Sequence, residues 1–401
     1  MQKKKIMLLG GSRYLLPVIE AAHKLGLYVI TCDYLPDNLA HKYADEYCNV
    51  SIIDKDAVLE AAKKLQIDGI ISFACDPGVV TAAYVAEKMG LPHSGSYESV
   101  SILQNKGRFR KFLADHGFQV PTAKGYTDIA SALADVSLFH WPVIVKPADS
   151  AGSKGVTRVD DPAKLEESIQ YALSFSHCSE FIIEDFLEKV GHSSDSDCFS
   201  VDGQLKFVSF SAQRFDEKCG NPYTPSAYSW PCTISAENQA LLTSEIQRLL
   251  SLLNMKTSIY NVETRECTDG KAYIMELSPR GGGNRLAEML RLATGVDMIT
   301  NTVRAAVGME VEDVVQKPYD GCWAEVILHS DTAGIFDHLA IAPELQASVV
   351  QEDLWIVPGD PVGDFSGANE AIGTLVLKFE TEEQLQQVMQ DISRYVKVVL
   401  K

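Results

Sequence analysis

The sequence predicts an α/β unit at the N-terminus, followed by a larger α+β region. In the first hundred residues apolar strands alternate with helical patterns, which indicates βαβ units and a parallel sheet. Further along, Asp202-Gly203 and Asp269-Gly270 separate apolar runs, which indicates hairpins and antiparallel strands. With 401 residues, the chain is long enough for two or three domains.

Composition restricts the classes of partner. The 54 acidic and 36 basic residues give a net charge of −18, which argues against a nucleic acid or an anionic membrane as partner. The nine cysteines show no CxxC spacing, as expected for reduced thiols in the cytoplasm. No apolar run approaches the length of a membrane span. We therefore expect a cytoplasmic protein that binds neither membranes nor nucleic acid, although a nucleotide ligand is compatible with this charge.

The first hundred residues suggest a Rossmann-like unit. Its strands and helices are predicted at 6–10, 14–25, 28–33, 67–74 and 79–89. Gly10-Gly11 after the first strand and Asp33 after the second raise the alternative of a dinucleotide site, but the GxGxxG fingerprint is absent. Asp76-Pro77-Gly78 follows a strand at the edge where clefts open in parallel sheets.

A hairpin over residues 260–285 carries paired carboxylates. If Asp269 and Gly270 form a two-residue type I′ turn, Glu263 lies directly across from Glu276. Like charges in this position destabilise a sheet unless a cation lies between them, and carboxylates beside a nucleotide triphosphate commonly hold Mg²⁺. The alternative is an ordinary charged hairpin facing solvent.

Strand alternation divides the second half of this hairpin into two faces. Ile274, Glu276, Ser278 and Arg280 are predicted to share one face. Tyr273, Met275 and Leu277 are predicted to share the other. The run that follows, Pro279 to Arg285, has three glycines between arginines, so its backbone can approach an anion closely.

A second pattern points to phosphate binding. An apolar strand at 141–147 carries Lys146 and runs into a turn rich in Gly and Ser at 148–156, which includes Lys154. Backbone N–H groups and lysine charges in such a turn can hold phosphates. The alternative is a hairpin turn with an incidental lysine. Upstream, Lys106 opens a basic helix.

The order of these features resembles the ATP-grasp superfamily, and within it the carboxylate–amine ligases. The similarity covers nearly the whole chain. It implies a Rossmann-like domain at 1–100 and an ATP-grasp domain at 101–315, in which two α+β subdomains clamp ATP. It also implies a lid subdomain at about 122–187 and an α+β closing piece at 316–401.

The resemblance also implies roles for individual residues. Those implied in ATP binding are Lys106, Lys146, Ser150, Gly152, Ser153, Lys154, Gly155, Glu184, Asp185, Phe186, Leu187 and His192. The implied metal ligands are Glu263, Glu276 and Ser278, where Ser278 replaces the usual Asn. Arg280, Lys146 and Arg285 are the expected catalytic residues. For the substrate carboxylate our candidates are Arg214, Gly281, Gly282, Gly283, Asn284 and Arg285.

The implied reaction is the joining of a carboxylate to an amine through an acyl phosphate, with release of ADP and phosphate; an amino-acid ligase is one form. ATP and Mg²⁺ are the expected cofactors, with two ions and with Mn²⁺ as a substitute. Small-molecule substrates are the expected partners, and a homodimer is left open. Two alternatives are kept: a non-catalytic nucleotide-binding protein and a nicotinamide-dependent oxidoreductase.

Overall fold

The computed structural model describes residues 3–150, 152 and 154–401. The strands are β1 (Lys5–Leu9), β2 (Tyr28–Cys32), β3 (Glu46–Cys48), β4 (Gly69–Ser72), β5 (Ala123–Tyr126), β6 (Val143–Pro147), β7 (Thr157–Val159), β8 (Phe181–Asp185), β9 (Ser194–Val201), β10 (Gln204–Phe207), β11 (Ala212–Phe215), β12 (Pro225–Trp230), β13 (Ser258–Glu266), β14 (Ala272–Ser278), β15 (Cys322–Leu328), β16 (Gly334–Ile341), β17 (Val349–Leu354), β18 (Pro361–Val362), β19 (Gly373–Phe379) and β20 (Val396–Leu400). The α-helices are α1 (Leu16–Lys24), α2 (Lys55–Leu65), α3 (Asp76–Met89), α4 (Tyr97–Gln104), α5 (Lys106–Asp115), α6 (Ile129–Ala134), α7 (Leu165–Leu173), α8 (Ala236–Leu252), α9 (Leu286–Thr294), α10 (Met298–Ala306) and α11 (Glu382–Met389). Among these described helices, none combines the length and apolar character required to cross a bilayer.

The N-terminal sheet is parallel, as predicted. Its strand order is β3-β2-β1-β4, and Ile6 to Leu9 of β1 are fully buried because β1 is a central strand with neighbours on both sides. Helix α3 begins at Asp76 with a proline in its first turn, where a missing N–H costs nothing. The carboxyl ends of β1 and β4 therefore bring Gly10 and Asp76 to the same edge of the sheet.

Two antiparallel sheets follow. One, with the order β5-β8-β6-β7, is formed from residues 123–185. The other, with the order β10-β9-β13-β14, is built around the predicted hairpin. Helix α5 connects the two, since it packs on β5 and carries Arg110, which reaches both β8 and β14. The predicted combination of α/β and α+β architecture is confirmed.

The central hairpin pairs Glu263 with Glu276, as predicted, but its turn differs from the prediction. Gly270 has a φ of 76°, whereas Asp269 does not have a positive φ, so the turn is not type I′. Near the turn, Thr264 pairs with Ile274, and the register then shifts because Met275 is an extra residue in β14. This bulge restores the predicted glutamate pair.

The same bulge changes the two faces of β14. Ile274 joins Leu277 in an apolar core beneath the sheet, and Met275 lines the same cavity as Glu276. The predicted faces of Ile274 and Met275 are therefore wrong, because strict alternation fails at a bulge.

The C-terminal strands belong to a five-stranded sheet with the order β11-β12-β15-β19-β17. Strands β11 and β12 come from residues 212–230, and the other three from residues 322–379. A small sheet, β18-β16-β20, and helix α11 complete this end of the chain. The predicted boundary at 315/316 thus separates strands that share one sheet.

The glycine turn after β14 packs directly on the N-terminal sheet. A Cβ added at Gly281 would lie 2.4 Å from the ring of Phe73, which is buried at the end of β4. Replacing Gly281 by Ala should therefore lower the free energy of unfolding by about 1–3 kcal/mol, because buried neighbours must move.

Gly283→Ala is the matched control, since a Cβ there meets open space. Its effect should stay within about 0.5 kcal/mol. Urea unfolding of both variants measures the difference, and equal stabilities would contradict this account of the turn.

Candidate active site

A cavity of about 190 Å³ lies between the sheet β5-β8-β6-β7 and the carboxylate hairpin, β13-β14. Its lining residues are Lys106, Ile144, Lys146, Ser150, Gly152, Val156, Glu184, Phe186, Gln213, Phe215, Tyr223, Pro225, Glu263, Arg265, Met275 and Glu276. The cavity thus combines two lysines with the paired glutamates of the hairpin, an arrangement suited to an anion that carries a metal ion.

A buried ion cluster supports the lysine side of the cavity. One oxygen of Glu184 lies 2.5 Å from Lys146 Nζ, and the other accepts from Arg110 Nε at 3.0 Å. Burial alone would raise the pKa of Glu184, but Arg110 and Lys146 lower it to about 2. Both carboxylate oxygens thus bind buried cations, and Glu184 positions Lys146; because Glu184 also lines the cavity, its implied contact with adenine stays a prediction.

Three carboxylates lie side by side across three strands. Glu263 of β13 pairs with Asp195 of β9 on one side and with Glu276 of β14 on the other. Burial, and next the charge of Glu263, raise the pKa of Asp195 to about 7. This row therefore concentrates negative charge that a bound cation would relieve.

A second row lies next to the first and consists of Asp197, Asn261 and Ser278. The Asn261 amide donates to Asp195 at 2.7 Å and to Asp197 at 3.2 Å. Ser278 donates to Asp76 at 3.0 Å and accepts from Gln104 at 2.8 Å. Ser278 thus lies beside the glutamates, but its hydroxyl is engaged in linking α3 to α4.

Arg280 forms a two-point ion pair with the N-terminal unit. Its Nε and Nη2 donate to the two oxygens of Asp76 at 2.8 and 2.7 Å, and Nη1 donates to the Gly281 carbonyl. Burial alone would lower the pKa of Arg280, but Asp76 raises it above its ordinary range. A guanidinium has five N–H groups, so two of them stay available for a ligand.

Lys106, the first residue of α5, also lines the cavity. Its ammonium donates to the Ser150 carbonyl at 2.9 Å and lies 3.6 Å from Glu276. Gly152 lines the cavity, and Lys154 is exposed. Gly155 has a φ of 72°, a backbone conformation that disfavours residues with a Cβ. Ser153 lies outside the described residues.

The segment implied for adenine follows β8. Asp185 N–H donates to the Thr122 carbonyl at 2.8 Å, and Phe186 N–H donates to the Pro142 carbonyl at 3.0 Å. The Asp185 carboxylate contacts His140. Phe186 lines the cavity, with Arg158 4.4 Å from its ring centroid. Leu187 offers its carbonyl to Arg265 at 3.3 Å.

The glycine turn is shaped by close contacts. Gly282 N–H donates to Asp197 at 2.8 Å, so it is not free for a substrate carboxylate. Asn284 has a positive φ and accepts from the Tyr14 hydroxyl at 3.0 Å. Gly283 borders open space. The turn thus connects the carboxylate rows to the glycine loop that follows β1.

Arg214 and His192 do not lie in the cavity. Gln213 lines it, so the next residue on β11 points to the other face of the sheet. There Arg214 donates to Gln386 of α11 at 3.0 Å and to His192 at 3.1 Å. Burial, and next the charge of Arg214, lower the pKa of His192 to about 4. Their implied roles at substrate and nucleotide are therefore not supported.

Arg285 lies in a separate groove of about 760 Å³. It makes ion pairs with Glu288 at 3.0 Å and Asp353 at 3.1 Å. Arg13 lies 5.2 Å from the ring centroid of Trp355 in the same groove. Arg285 is thus not among the residues that line the lysine–glutamate cavity.

Several residues of this region were not identified from the sequence, namely Arg110, Asp195, Asp197 and Glu325. Arg110 is four residues after Lys106, on the same helix face, and Ser194-Asp195-Ser196-Asp197 alternates with the period of a strand, so both patterns were readable. Glu325 is fully buried, and neither of its oxygens has a partner among the described residues. The sequence around Glu325 is that of an ordinary buried strand, so no sequence pattern identified this residue.

The ion cluster predicts a pH-dependent stability. At pH 7, Glu184→Gln should cost about 3–5 kcal/mol, because Lys146 and Arg110 stay buried without a counter-charge. The pKa of Glu184 falls from its ordinary 4.5 to about 2 on folding, so its contribution is present above pH 4.5 and is lost toward pH 2. The stability gap between wild type and variant should shrink over that window.

Urea unfolding between pH 7 and pH 2 provides the measurement. Glu20→Gln, which removes an exposed pair with Lys24, serves as control and should change stability by under about 1 kcal/mol. A gap between wild type and Glu184→Gln that is independent of pH would contradict the cluster.

Comparisons with known proteins agree with this geometry. Residues 139–288 match the family described as the ATP-grasp domain. The chain is 26% identical over 314 residues to the formate-dependent phosphoribosylglycinamide formyltransferase of Synechococcus sp. (strain WH7803), with 77% of each chain covered. It is 21% identical over 266 residues to the carbamoyl phosphate synthase large chain of Thermoanaerobacter sp. (strain X514), with 63% of this chain and 23% of that relative covered.

Solved structures are similar over the full length. The L-amino acid ligase from Bacillus licheniformis superimposes with a TM-score of 0.82 at 19% identity, with 100% of both chains covered. Phosphoribosylglycinamide synthetase from Anaerococcus prevotii gives 0.77, also at 19% identity and full coverage. As the sequence predicted, residues 139–288 match the ATP-grasp domain, and the chain as a whole has the fold of these two enzymes.

Proposed function

We propose that the protein is an ADP-forming ligase that joins a carboxylate to an amine through an acyl phosphate, with ATP and Mg²⁺. One observation carries the proposal. Glu263 and Glu276 of the carboxylate row line the same cavity as Lys106 and Lys146. Phosphoryl transfer depends mainly on positioning and on charge neutralisation, and this arrangement supplies both signs of charge at one place.

In this proposal the nucleotide lies with its base near Ile144 and Phe186 and its phosphates near the two lysines. Ile144 and Phe186 give the cavity an apolar wall. Leu187 is the predicted hinge residue whose N–H donates to no described residue, which suits an adenine edge. The loop after Lys146 is proposed to contact the phosphates through Ser150, Gly152, Lys154 and Gly155.

Glu263 and Glu276 are the proposed Mg²⁺ ligands, with Asp195 beside them. The raised pKa of Asp195, caused by burial and by Glu263, fits a site built for a cation. Bound Mg²⁺ would neutralise the phosphate oxygens and polarise the transferred group. The Ser278 hydroxyl is held by Asp76 and Gln104. The nearby Asn261 uses its amide nitrogen for hydrogen bonds, so its amide oxygen is the better candidate for the metal-ligand position implied for Ser278.

The chemistry follows from charge balance. A carboxylate oxygen attacks the γ-phosphorus, and ADP leaves with the electrons of the broken bond. The amine then attacks the acyl carbon, loses a proton and displaces phosphate. Two N–H groups of Arg280 have no partner among the described residues, and its charge interacts with Asp195 and Glu276; these N–H groups can stabilise the transferred phosphoryl oxygens. Closure of the cavity would protect the acyl phosphate from water.

A second observation favours an amine substrate that carries a positive charge. Asp197 Oδ2 and both oxygens of Glu325 are buried without partners among the described residues. Burial raises the pKa of Glu325 well above its ordinary range, so a cationic ligand beside this carboxyl group would stabilise its charged form.

The two alternative functions receive less support. At the predicted dinucleotide turn, a Cβ on Gly11 would lie 2.5 Å from Asn38, and both oxygens of Asp33 accept from its own loop. Little room is left there for a pyrophosphate. The complete carboxylate row also argues against a merely nucleotide-binding protein with a decayed metal site.

Other expectations remain predictions under this proposal. These are the boundaries 1–100, 101–315 and 316–401, the presence of two metal ions, substitution by Mn²⁺, a homodimer and a cytoplasmic location. Among the site residues, Lys146, Arg280, Gly281 and Gly283 keep their proposed roles beside nucleotide and substrate.

Glu276→Gln should lower turnover by at least about 100-fold, because metal neutralisation of the phosphoryl group contributes several kcal/mol. Glu266→Gln on the same hairpin is the control, since Glu266 bonds Ser235 outside the cavity. ADP and phosphate release should be measured across a matrix of carboxylates and amines, including all amino-acid pairs. AMP and pyrophosphate as products, or full turnover by Glu276→Gln, would contradict the proposal.

A further inference from the structure

A second group of reactive side chains lies at the loop between β11 and β12. Asp216 and Cys219 come from this loop, and His329 follows the end of β15. A carboxylate oxygen, the Cys219 sulfur and an imidazole nitrogen lie within 4.8 Å of one another. Among the described residues this is the one compact set of three such groups, and the proposed ligase chemistry uses none of its members.

The imidazole is held in the tautomer that binds metals. The Ile327 carbonyl can only accept, so His329 Nδ1 at 2.6 Å carries the proton and donates it. In the neutral ring Nε2 is then a bare lone pair. Metal-binding histidines almost always direct their other N–H to a carbonyl or carboxylate in this way. Stacking on Phe365, at 4.2 Å between centroids, fixes the ring further.

The two carboxylate oxygens of Asp216 have different surroundings. Its Oδ1 accepts from the Lys218 N–H at 2.9 Å, while Oδ2 lies 3.4 Å from His329 Nε2. Without a proton or a metal between them, two lone pairs would face each other. Two ligands of a tetrahedral zinc ion with bonds of about 2.1 Å are themselves about 3.4 Å apart.

Cys219 adds a soft ligand to this pair. It is 7% exposed, and its surroundings are negative. Burial, followed by Asp216, Asp331 and Asp364, raises the pKa of its thiol to about 12. A cation among these groups would reverse that effect, since metal coordination deprotonates a thiol outright.

We propose that Asp216, Cys219 and His329 bind a divalent transition-metal ion, most suitably Zn²⁺. Mixed oxygen, sulfur and nitrogen ligands match the ligand types that zinc accepts, and three protein ligands leave a fourth position for water. The site is distinct from the Mg²⁺ site, whose ligands are all oxygen.

The metal would fasten the cavity wall to the C-terminal sheet. Phe215, Tyr223 and Pro225 line the nucleotide cavity and flank the loop that carries Asp216 and Cys219. His329 belongs to the chain segment after β15. Zinc would therefore join the two segments by covalent coordination and order the wall against which nucleotide binds.

The test is binding of Co²⁺, as a coloured substitute for Zn²⁺, to the full chain in excess Mg²⁺. We expect one Co²⁺ per chain, with a thiolate-to-cobalt charge-transfer band that Zn²⁺ abolishes. Cys219→Ser should remove the band, and Asp216→Asn, an isosteric change in an exposed loop, should weaken Zn²⁺ binding at least tenfold. Zinc should also slow tryptic cleavage after Lys218, which is exposed.

Two variants serve as controls. Cys178→Ser removes an exposed thiol outside the proposed site. His140→Gln breaks the ion pair between His140 and Asp185, which also lies outside that site. Both variants should keep the charge-transfer band. The proposal is overturned if wild type shows no charge-transfer band, if the band survives Cys219→Ser, or if Asp216→Asn binds Zn²⁺ as tightly as wild type. The first of these results would leave only the His329–Asp216 ion pair.

Discussion

The Glu184 carboxylate, shared between Lys146 and Arg110, is the interaction on which the active-site region depends. It joins β8 to β6 through the lysine and to α5 through the arginine. Arg110 also reaches the Ile274 carbonyl, next to the bulge in β14. Because all three charges are buried, removal of any one leaves the others uncompensated. Burial lowers the pKa of Lys146, and Glu184 counteracts this effect while the cluster ties the β5-β8-β6-β7 sheet to the carboxylate sheet.

The negative side of the cavity depends on sheet register in the same way. Asp195, Glu263 and Glu276 come from three strands, and they lie in one row only because β14 has an extra residue at Met275. Without that bulge, strict alternation would turn Glu276 toward the core, on the same side as Ile274. The like charges then raise the energy of the empty site, which a bound cation lowers. The repulsion between these carboxylates therefore favours cation binding.

Much of this arrangement could be predicted from local patterns. The parallel sheet followed from alternating strands and helices, and the pairing of Glu263 with Glu276 followed from the hairpin. The turn type and the faces of Ile274 and Met275 were wrong, because a bulge is set by packing on both sides of the strand and leaves no mark in the pattern. Arg214 was assigned by residue type alone, whereas strand alternation places it behind Gln213. Asp76 of α3, which contacts both Ser278 and Arg280, is more than 200 residues away in the sequence, and no local pattern predicts such contacts.

The central claim is that nucleotide and metal meet between the two lysines and the carboxylate row. A crystal structure of the wild-type protein grown with a non-hydrolysable ATP analogue and Mn²⁺ tests it most directly, because anomalous scattering locates the metal independently of the nucleotide. The account predicts Mn²⁺ bound by Glu263 and Glu276, phosphates within hydrogen-bond distance of Lys106 and Lys146, and adenine beside Phe186. Nucleotide at the Gly10-Gly11 turn, or Mn²⁺ absent from both glutamates, would contradict it.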